Sequence, residues 1–329
     1  MNKVTRHVPV LLKEVLSTIS PEAGGVYVDA TLGGGGHFFS LLNAIPKNTN
    51  PRSVYIGFDH DESAVRRIIR QIEVDFKERF TNTRENVYEL TTPSKRVLLI
   101  NKNFETLSEE LALSKIYKVD GIIADLGTSQ DQLDDLTRGF SFLETGSLDM
   151  RMDSKLQIKA SDLLKILTRQ ELIKLFNNLA DIKGKEGEWI VEEIMKAREH
   201  GDIKTTDELK KIITRAVPLK SVGSRTKGIR NRRNLEARVF QALRIAVNHE
   251  LDSLQQFLPQ AFETLEAFGV LVVISFHSGE DRIVKHYVRS LVEQEVADYV
   301  HKLVRPSISE IKYNAKSSSA RLRAIRKIK

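Results

Sequence analysis

Residues able to do chemistry gather where β-rich runs give way to polar turns. VDATLGGGGH, Val28 to His37, puts Asp29 at the end of one such run, ahead of four glycines and a histidine. Glycines there let the backbone approach a ligand closely and present helix N-terminal amides to it. The stretch fails the dinucleotide pattern G-x-G-x-x-G in both registers, reaching Phe38 from Gly33 and Phe39 from Gly34. No Lys-Ser/Thr pair follows to complete a triphosphate loop, so nicotinamide and nucleoside triphosphate sites are disfavoured. Asp59 ends a second run, SVYIGFD, where a carboxylate can accept both hydroxyls of a ribose. A ligand with a ribose, a cationic centre and no phosphate suits this set, and S-adenosylmethionine has those features. Taken singly, Asp29 reads equally as a turn acid and Asp59 as a helix N-cap; their combination with the glycines points to the ligand.

Two further strand ends carry polar residues. GIIADLGTSQDQLDD, Gly121 to Asp135, places Asp125 at the carboxyl edge of a strand, where open α/β sheets bind ligands. SFHSGEDR, Ser275 to Arg282, offers His277, Glu280 and Asp281, but no second histidine lies nearby. Helix capping by Ser278 with a solvated acidic first turn is the better account, and no metal site is expected.

These strand ends need a common scaffold. Strand signals at Gly24 to Ala30, Ser53 to Asp59, Val97 to Asn101 and Val119 to Leu126 alternate with helical ones at Val10 to Ile19, Phe38 to Ala44 and Asp61 to Ile72. That rhythm predicts an α/β fold with a doubly wound parallel sheet. From Thr137 to Arg238 only helices and loops follow, with helices over Ser161 to Leu167, Arg169 to Leu179, Glu188 to His200 and Thr206 to Val217. Strand character returns at Phe268 to Phe276, after a long helix from Arg238 to Phe257. The expected organisation is a sheet domain over 1–136 and 239–329, interrupted by a helical domain over 137–238. Thr81 to Lys95 reads as a solvated loop, and Trp189, in a helical pattern, as a core residue.

The chain has 329 residues, 41% hydrophobic and 29% charged, as expected of a packed globular protein of two domains. Its 51 Lys+Arg against 44 Asp+Glu, a net charge of +7, weakly favours an anionic partner. No segment approaches the roughly 18 apolar residues of a membrane helix. Lys13 and Glu14 interrupt the N-terminal apolar stretch, so no signal peptide is read there. There are no cysteines, hence no disulfides, no thiolate-held metal and no thiolate nucleophile. The cytoplasm is the expected compartment, with no membrane association.

Several motifs, in order, resemble the bacterial 16S ribosomal RNA cytosine-N4 methyltransferases called RsmH or MraW. They are HVPVLLKEVL (7–16), DATLGGGGH (29–37), FDHDESA (58–64), DLGTS (125–129), GFSF (139–142) with LDMRMD (148–153), FQALRIAVNHEL (240–251) and ISFHSGEDRIVK (274–285). The resemblance spans nearly the whole chain. It implies a class I, Rossmann-like methyltransferase sheet with an inserted all-helical domain that helps to recognise RNA. It also implies N4-methylation of a cytidine in the decoding region of 16S ribosomal RNA within the small subunit. The family's S-adenosylmethionine contacts carry over to Gly35, Gly36, His37, Asp59, Phe104, Asp125 and Gln132. An aromatic such as Phe104 can pack on adenine. The chain departs from the family at Thr128, Gln130 and Asp131, at Asn234 to Ala237, and at Gly279, which stands where the family has Leu.

Methylation of cytosine carbon 5 normally needs a cysteine nucleophile, which this chain lacks; transfer to an exocyclic amine needs none. There the enzyme mainly positions the two reactants, with an acceptor to orient the amine. Ser129 and the backbone after Asp125 are placed for this, and no catalytic base is assigned. A base held in helical RNA must also be splayed into the pocket. Lys220 to Arg238 is the most basic stretch and reads as a mobile loop; Arg230, Arg232, Arg233 and Arg238 are the candidate phosphate contacts. The basic tail from Ser317 to Lys329 partly resembles the family's and is expected to fold onto the sheet. A small-molecule N-methyltransferase, or a ribosome-binding assembly factor with weakened catalysis, are the alternatives. Oligomeric state stays open, a homodimer included.

Overall fold

The structure is a computed structural model that describes residues 9–46, 50–141, 145–217 and 225–329, with the backbone alone for 225–232. The chain forms two compact units, Met1–Ser129 with Leu251–Lys329, and Gln130–Glu250. The expected boundaries at 136/137 and 238/239 thus differ from the structural breaks at 129/130 and 250/251.

The first unit holds a nine-stranded sheet among the described residues. Its strands are β1 (Val26–Asp29), β2 (Ser53–Phe58), β3 (Thr81–Arg84), β4 (Val87–Thr91), β5 (Lys95–Ile100), β6 (Val119–Asp125), β7 (Leu265–Ser275), β8 (Ala297–Val304) and β9 (Arg321–Lys327). The order is β3-β4-β5-β2-β1-β6-β7-β9-β8. The run β5-β2-β1-β6-β7 is parallel, and an antiparallel pair extends each edge. The described helices are α1 (Leu12–Ile19), α2 (Gly36–Ala44), α3 (Glu62–Phe76), α4 (Leu107–Leu113), α5 (Gln130–Asp134), α6 (Ala160–Ile166), α7 (Arg169–Ala180), α8 (Lys185–His200), α9 (Thr206–Ala216), α10 (Arg225–Asn248), α11 (Glu250–Thr264), α12 (Ser278–Glu293) and α13 (Ile308–Tyr313).

Strand alternation sorts the core. Tyr27, Tyr55, Val97 and Leu99 face α1, α2 and α3, packing with Val15, Phe38, Leu41 and Ile68. Their neighbours Val28, Ile56, Leu98 and Ile100 face α4, α11 and α12, packing with Leu111, Phe257 and Val284. Both faces of the parallel sheet are therefore covered, which is why its strands read as nearly continuous apolar runs. The chain leaves β1 for β2 on one side and comes back to β6 on the other, so β1 and β6 flank the topological switch point. Among the described residues, no helix is long and apolar enough to cross a membrane.

The structure corrects several expectations. Thr81 to Lys95 is not a loop: β3 and β4 form a hairpin that extends the sheet beyond β5. Val87 and Leu90 are buried on opposite faces of the sheet, Asn86 turns the hairpin in the left-handed region, and Arg84 pairs with buried Glu110 at 2.7 Å. The expected helix from Arg238 to Phe257 breaks at His249, whose φ is 52°, into α10 and α11. The basic stretch is helical from Arg225, while 218–224 lie outside the described residues. Trp189 is 42% exposed, because α8 buries Gly187, Ile190, Val191 and Ile194 instead. The tail does join the sheet: β9 inserts between β7 and β8.

The second unit has a core of its own, from Leu148, Met150 and Met152 through Phe176, Ile190 and Ile213 to Val239 and Leu243. The residues just after 238 therefore belong to this core, which carries the unit's boundary past the expected one. Two of the quoted motifs meet here. Asn248 of α10 accepts from the Met152 N–H at 2.7 Å and donates to the Met150 carbonyl at 2.8 Å. Asp149 takes Arg151 in a bidentate pair at 2.7 and 2.8 Å, and Arg138 donates to the Arg151 and Met152 carbonyls. LDMRMD is thus held from outside by Asn248 and Arg138 and braced within by the Asp149–Arg151 pair, with Met150 in the left-handed region at φ 61°. Asn248→Ala strands buried backbone groups at a cost of roughly 1–3 kcal/mol each. Urea unfolding should show that loss, and an unchanged midpoint would remove the clamp.

Candidate functional site

The carboxyl ends of β1, β2 and β6 converge through backbone and side-chain bonds. Ala30 N–H donates to Ile123 O at 2.8 Å and Leu32 N–H to Phe58 O at 2.9 Å. Thr31 joins the two switch-point strands: its amide donates to Asp29 Oδ1 at 3.1 Å, and its hydroxyl accepts from Asp125 N–H at 2.6 Å.

The glycine turn is held from the neighbouring strand and helix. Asp59, just past β2, accepts from Gly33 N–H with Oδ2 and from Asp61 N–H with Oδ1, both at 2.8 Å. Arg67 of α3 donates to Gly33 O at 2.9 Å. Asp61 is the N-cap of α3, as its position before the helical pattern predicts. Burial pushes the Asp59 carboxyl above its usual range, against the opposing effects of His60 and the two amide donors. Each carboxylate oxygen retains a further lone pair for a ligand hydroxyl.

The four glycines have different jobs. Gly35 caps α2 at φ 79°, and a Cβ there would run into Ile68 and sit 2.7 Å from the Phe39 ring. A Cβ on Gly36 would strike Pro9. Steric crowding at these two positions is with the protein itself, whereas a Cβ on Gly34 meets nothing within 4 Å. The glycine facing open space is therefore one that the family correspondence did not single out.

Beside the turn lies a buried polar cluster. Asp29 is 1% exposed and His37, in the first turn of α2, is 5% exposed. Asp29 Oδ2, Asp125 Oδ1 and both His37 ring nitrogens are buried without a hydrogen-bond partner among the described residues. His37 Nε2 stands 3.5 Å from Asp125 Oδ2, an ion-pair distance. Burial pushes the Asp29 carboxyl up to about 7, moderated by His37 and the Thr31 amide. Burial disfavours the charged His37 ring, but Asp125 and then Asp29 outweigh it and raise its pKa. Buried polar atoms without partners are costly unless something binds them, so this cluster is a site for a polar or cationic group.

The remaining predicted residues fall in both units. Phe104 begins a short turn after β5, capped by Asn103, and packs edge-on against Phe257 at 4.9 Å. Gln132 is buried in α5 of the second unit. Arg233 is exposed, and the side chains of Arg230 and Arg232 lie outside the described residues. Arg238 serves structure: it donates to the Ala180 carbonyl at 2.7 Å and to that of Asp181, closing the C-terminus of α7. At the end of β7, His277 itself caps α12, accepting from Gly279 and Glu280 N–H, while Glu280 accepts from Phe276 and His277 N–H. Glu280 is buried rather than solvated, and Ser278 is not the cap. Among the described residues, no group of His, Cys, Asp or Glu could hold a metal ion.

Two outcomes follow. Asp29 ionises near 3.8 when unfolded and near 7 when folded, so folding takes up a proton between those values and stability falls as pH rises through that window. His37, with its raised pKa, acts in the same direction. Melting of the ligand-free protein should therefore fall from pH 5 to 8, and Asp29→Asn, which keeps the Thr31 contact, should flatten the curve. A parallel curve would assign the slope elsewhere. Gly34→Leu should fold normally yet bind S-adenosylmethionine at least about tenfold more weakly, some 1.4 kcal/mol; unchanged calorimetry would place the ligand away from the turn.

A family model described as "MraW methylase family" matches residues 4–328. "Ribosomal RNA small subunit methyltransferase H" of Mycoplasmopsis synoviae (strain 53) is 35% identical over 332 residues, covering 98% of both chains. The protein of the same name from Clostridioides difficile (strain 630) is 35% identical over 343 residues, covering 98% of this chain and 99% of that one. That from Syntrophotalea carbinolica is 37% identical over 342 residues, covering 99% of each.

Proposed function

The chain belongs to the MraW methylase family, and from that premise we propose that it methylates the N4 amine of a cytidine in 16S ribosomal RNA, in the decoding region of the small subunit, using S-adenosylmethionine. The observation that carries the reading is the acid-lined strand edge: Asp29 and Asp125 each keep a buried carboxylate oxygen without a protein donor, beside the glycine turn. Such a site favours a cation over a phosphate. S-adenosylmethionine supplies a methyl group made electrophilic by a sulfonium centre. Asp59 offers spare lone pairs to the ribose diol, Gly34 leaves space at the turn, and the Phe104 ring offers a face for adenine. The carboxylates of Asp29 and Asp125 face the cationic part, with the His37 ring beside them.

The chain's further tasks are positional. Ser129 and the backbone after Asp125 orient the amine, whose attack on the methyl is in line and needs no covalent enzyme intermediate. Arg230, Arg232 and Arg233 contact phosphates of the substrate strand. The substrate places the protein in the cytoplasm, where small subunits are assembled.

Incubation with unmodified small subunits and labelled S-adenosylmethionine, followed by mass-spectrometric mapping, tests the proposal. N4-methylcytidine in 16S RNA is the expected product. Transfer to free nucleosides in preference to subunits favours a small-molecule enzyme, and cofactor binding without transfer favours an assembly factor. Asp59→Ala should weaken S-adenosylmethionine binding by about 1.5–3 kcal/mol, the range for hydrogen bonds to charged groups. Its affinity for small subunits should not change, because the lost carboxylate serves the turn and the cofactor alone.

A further inference from the structure

Away from the glycine turn, the first unit carries a cavity of about 480 Å³ lined by Lys285, Arg289, Val292, Glu293, Tyr299, Lys302 and Arg323. Its size lies within the ordinary range for a bound small group. One wall is a single face of α12, since Lys285, Arg289, Val292 and Glu293 fall at helical spacing. The other wall is β8 and β9, at the sheet's outer edge.

The charges in the cavity are unevenly compensated. Arg323 is 7% exposed and fully engaged: Nε and Nη2 donate to the Asp281 carboxylate at 2.9 and 3.3 Å, and Nη1 donates to the Lys302 carbonyl at 2.5 Å. It forms a fixed, neutralised floor. Arg289 pairs with Glu293 on the exposed side of α12 at 2.6 Å. Lys285 and Lys302 are exposed, and among the described residues neither has a carboxylate partner. Lys302 Nζ stands over the face of the half-buried Tyr299 ring, 5.9 Å from its centroid, so a base that stacks there moves the flexible ammonium aside toward its own phosphate. Val292 adds an apolar surface beside them.

An aromatic face next to uncompensated ammonium groups is the composition that takes a nucleotide, the ring stacking on a base while the cations meet phosphate. We propose that this cavity holds one nucleotide of the RNA chain, its base against Tyr299 and its flanking phosphate between Lys285 and Lys302. It would be an RNA contact on the sheet-bearing unit, separate from the arginines of α10. The proposal rests on the ribosomal RNA reading, which supplies the chain that the cavity grips.

The test uses the full-length protein and unmodified small subunits, with binding measured at several salt concentrations. Lys285→Ala/Lys302→Ala should lower the slope of log K against log salt by about 1.4, two phosphate contacts at roughly 0.7 each on single strands. Tyr299→Leu should weaken binding at fixed salt by at least about fivefold, the lower end for base stacking. S-adenosylmethionine titration and melting should match wild type for the lysine variant, whose side chains are exposed; melting of Tyr299→Leu checks that its loss is not unfolding. Superimposable salt curves for the double variant overturn the proposal, as does wild-type affinity in folded Tyr299→Leu. Binding of cytidine monophosphate at the cavity with unchanged subunit curves also overturns it, assigning the cavity to a free metabolite. Methyl transfer by the wild-type protein in the same preparations tests the ribosomal reading separately: its absence with normal subunit binding refutes the activity, while the salt slopes still decide the cavity.

Discussion

The amide of Gly33 and the carboxylate of Asp59 form the bond on which the site's shape depends. A glycine-rich turn has little reason to keep one conformation, because its residues lose the most backbone entropy on ordering. Here an acid from the next strand takes the Gly33 amide while an arginine from the next helix takes its carbonyl, so both backbone groups of one residue are fixed from outside the turn. Asp59 also accepts from Asp61 N–H, which ties the start of α3 to the same carboxylate. A single side chain thus sets the turn, the entry to a helix and the acceptor geometry offered to a ligand. The desolvation of that carboxyl is the energetic cost, offset by the two amide donors.

The parallel part of the sheet was legible because burial on both faces forces apolar runs, and all five central strands lie where those runs occur. The β3–β4 hairpin is not legible because its buried residues, Val87 and Leu90, go to opposite faces of the sheet and give no alternating pattern, and its register depends on β5 rather than on its own composition. The break at His249, whose φ is 52°, carries no proline or glycine signal in the sequence. At the site, residue types announced the acids and the turn, but not their division of labour. Gly35 and Gly36 answer to Ile68 and Pro9, contacts between distant parts of the sequence, and only coordinates separate them from Gly34. Arg238 shows the same limit: its place in a basic stretch suggests a phosphate ligand, while the structure has it closing the C-terminus of α7.

Polar groups divide into two kinds across the molecule. In the second unit, Asn248 and Arg138 satisfy the backbone of the LDMRMD loop while Asp149 pairs with Arg151 within it, and the loop is thereby fixed. Beside the glycine turn, Asp29, His37 and Asp125 bring buried atoms together without mutual satisfaction. Satisfied networks rigidify a fold, and unsatisfied ones mark where it expects company. Single unpartnered atoms also occur elsewhere, as at Arg198 and His277; what distinguishes the strand edge is that three unsatisfied side chains converge there.

The pairing of β6 with β7 has a consequence for how the protein is made. Gly121 lies opposite Val270, so two adjacent strands of the central sheet are separated by the whole of the second unit in sequence. On a translating ribosome, β1, β2, β5 and β6 emerge while one flank of β6 still lacks its neighbour. Residues 130–250, being contiguous, can collapse around their own core during that interval. Until β7 arrives, β6 presents an open, apolar strand edge, the kind of surface that nascent chains lose to aggregation. The interruption that gives the protein a second unit therefore also sets a period of vulnerability in its biosynthesis, and the speed of translation through the insert governs how long it lasts.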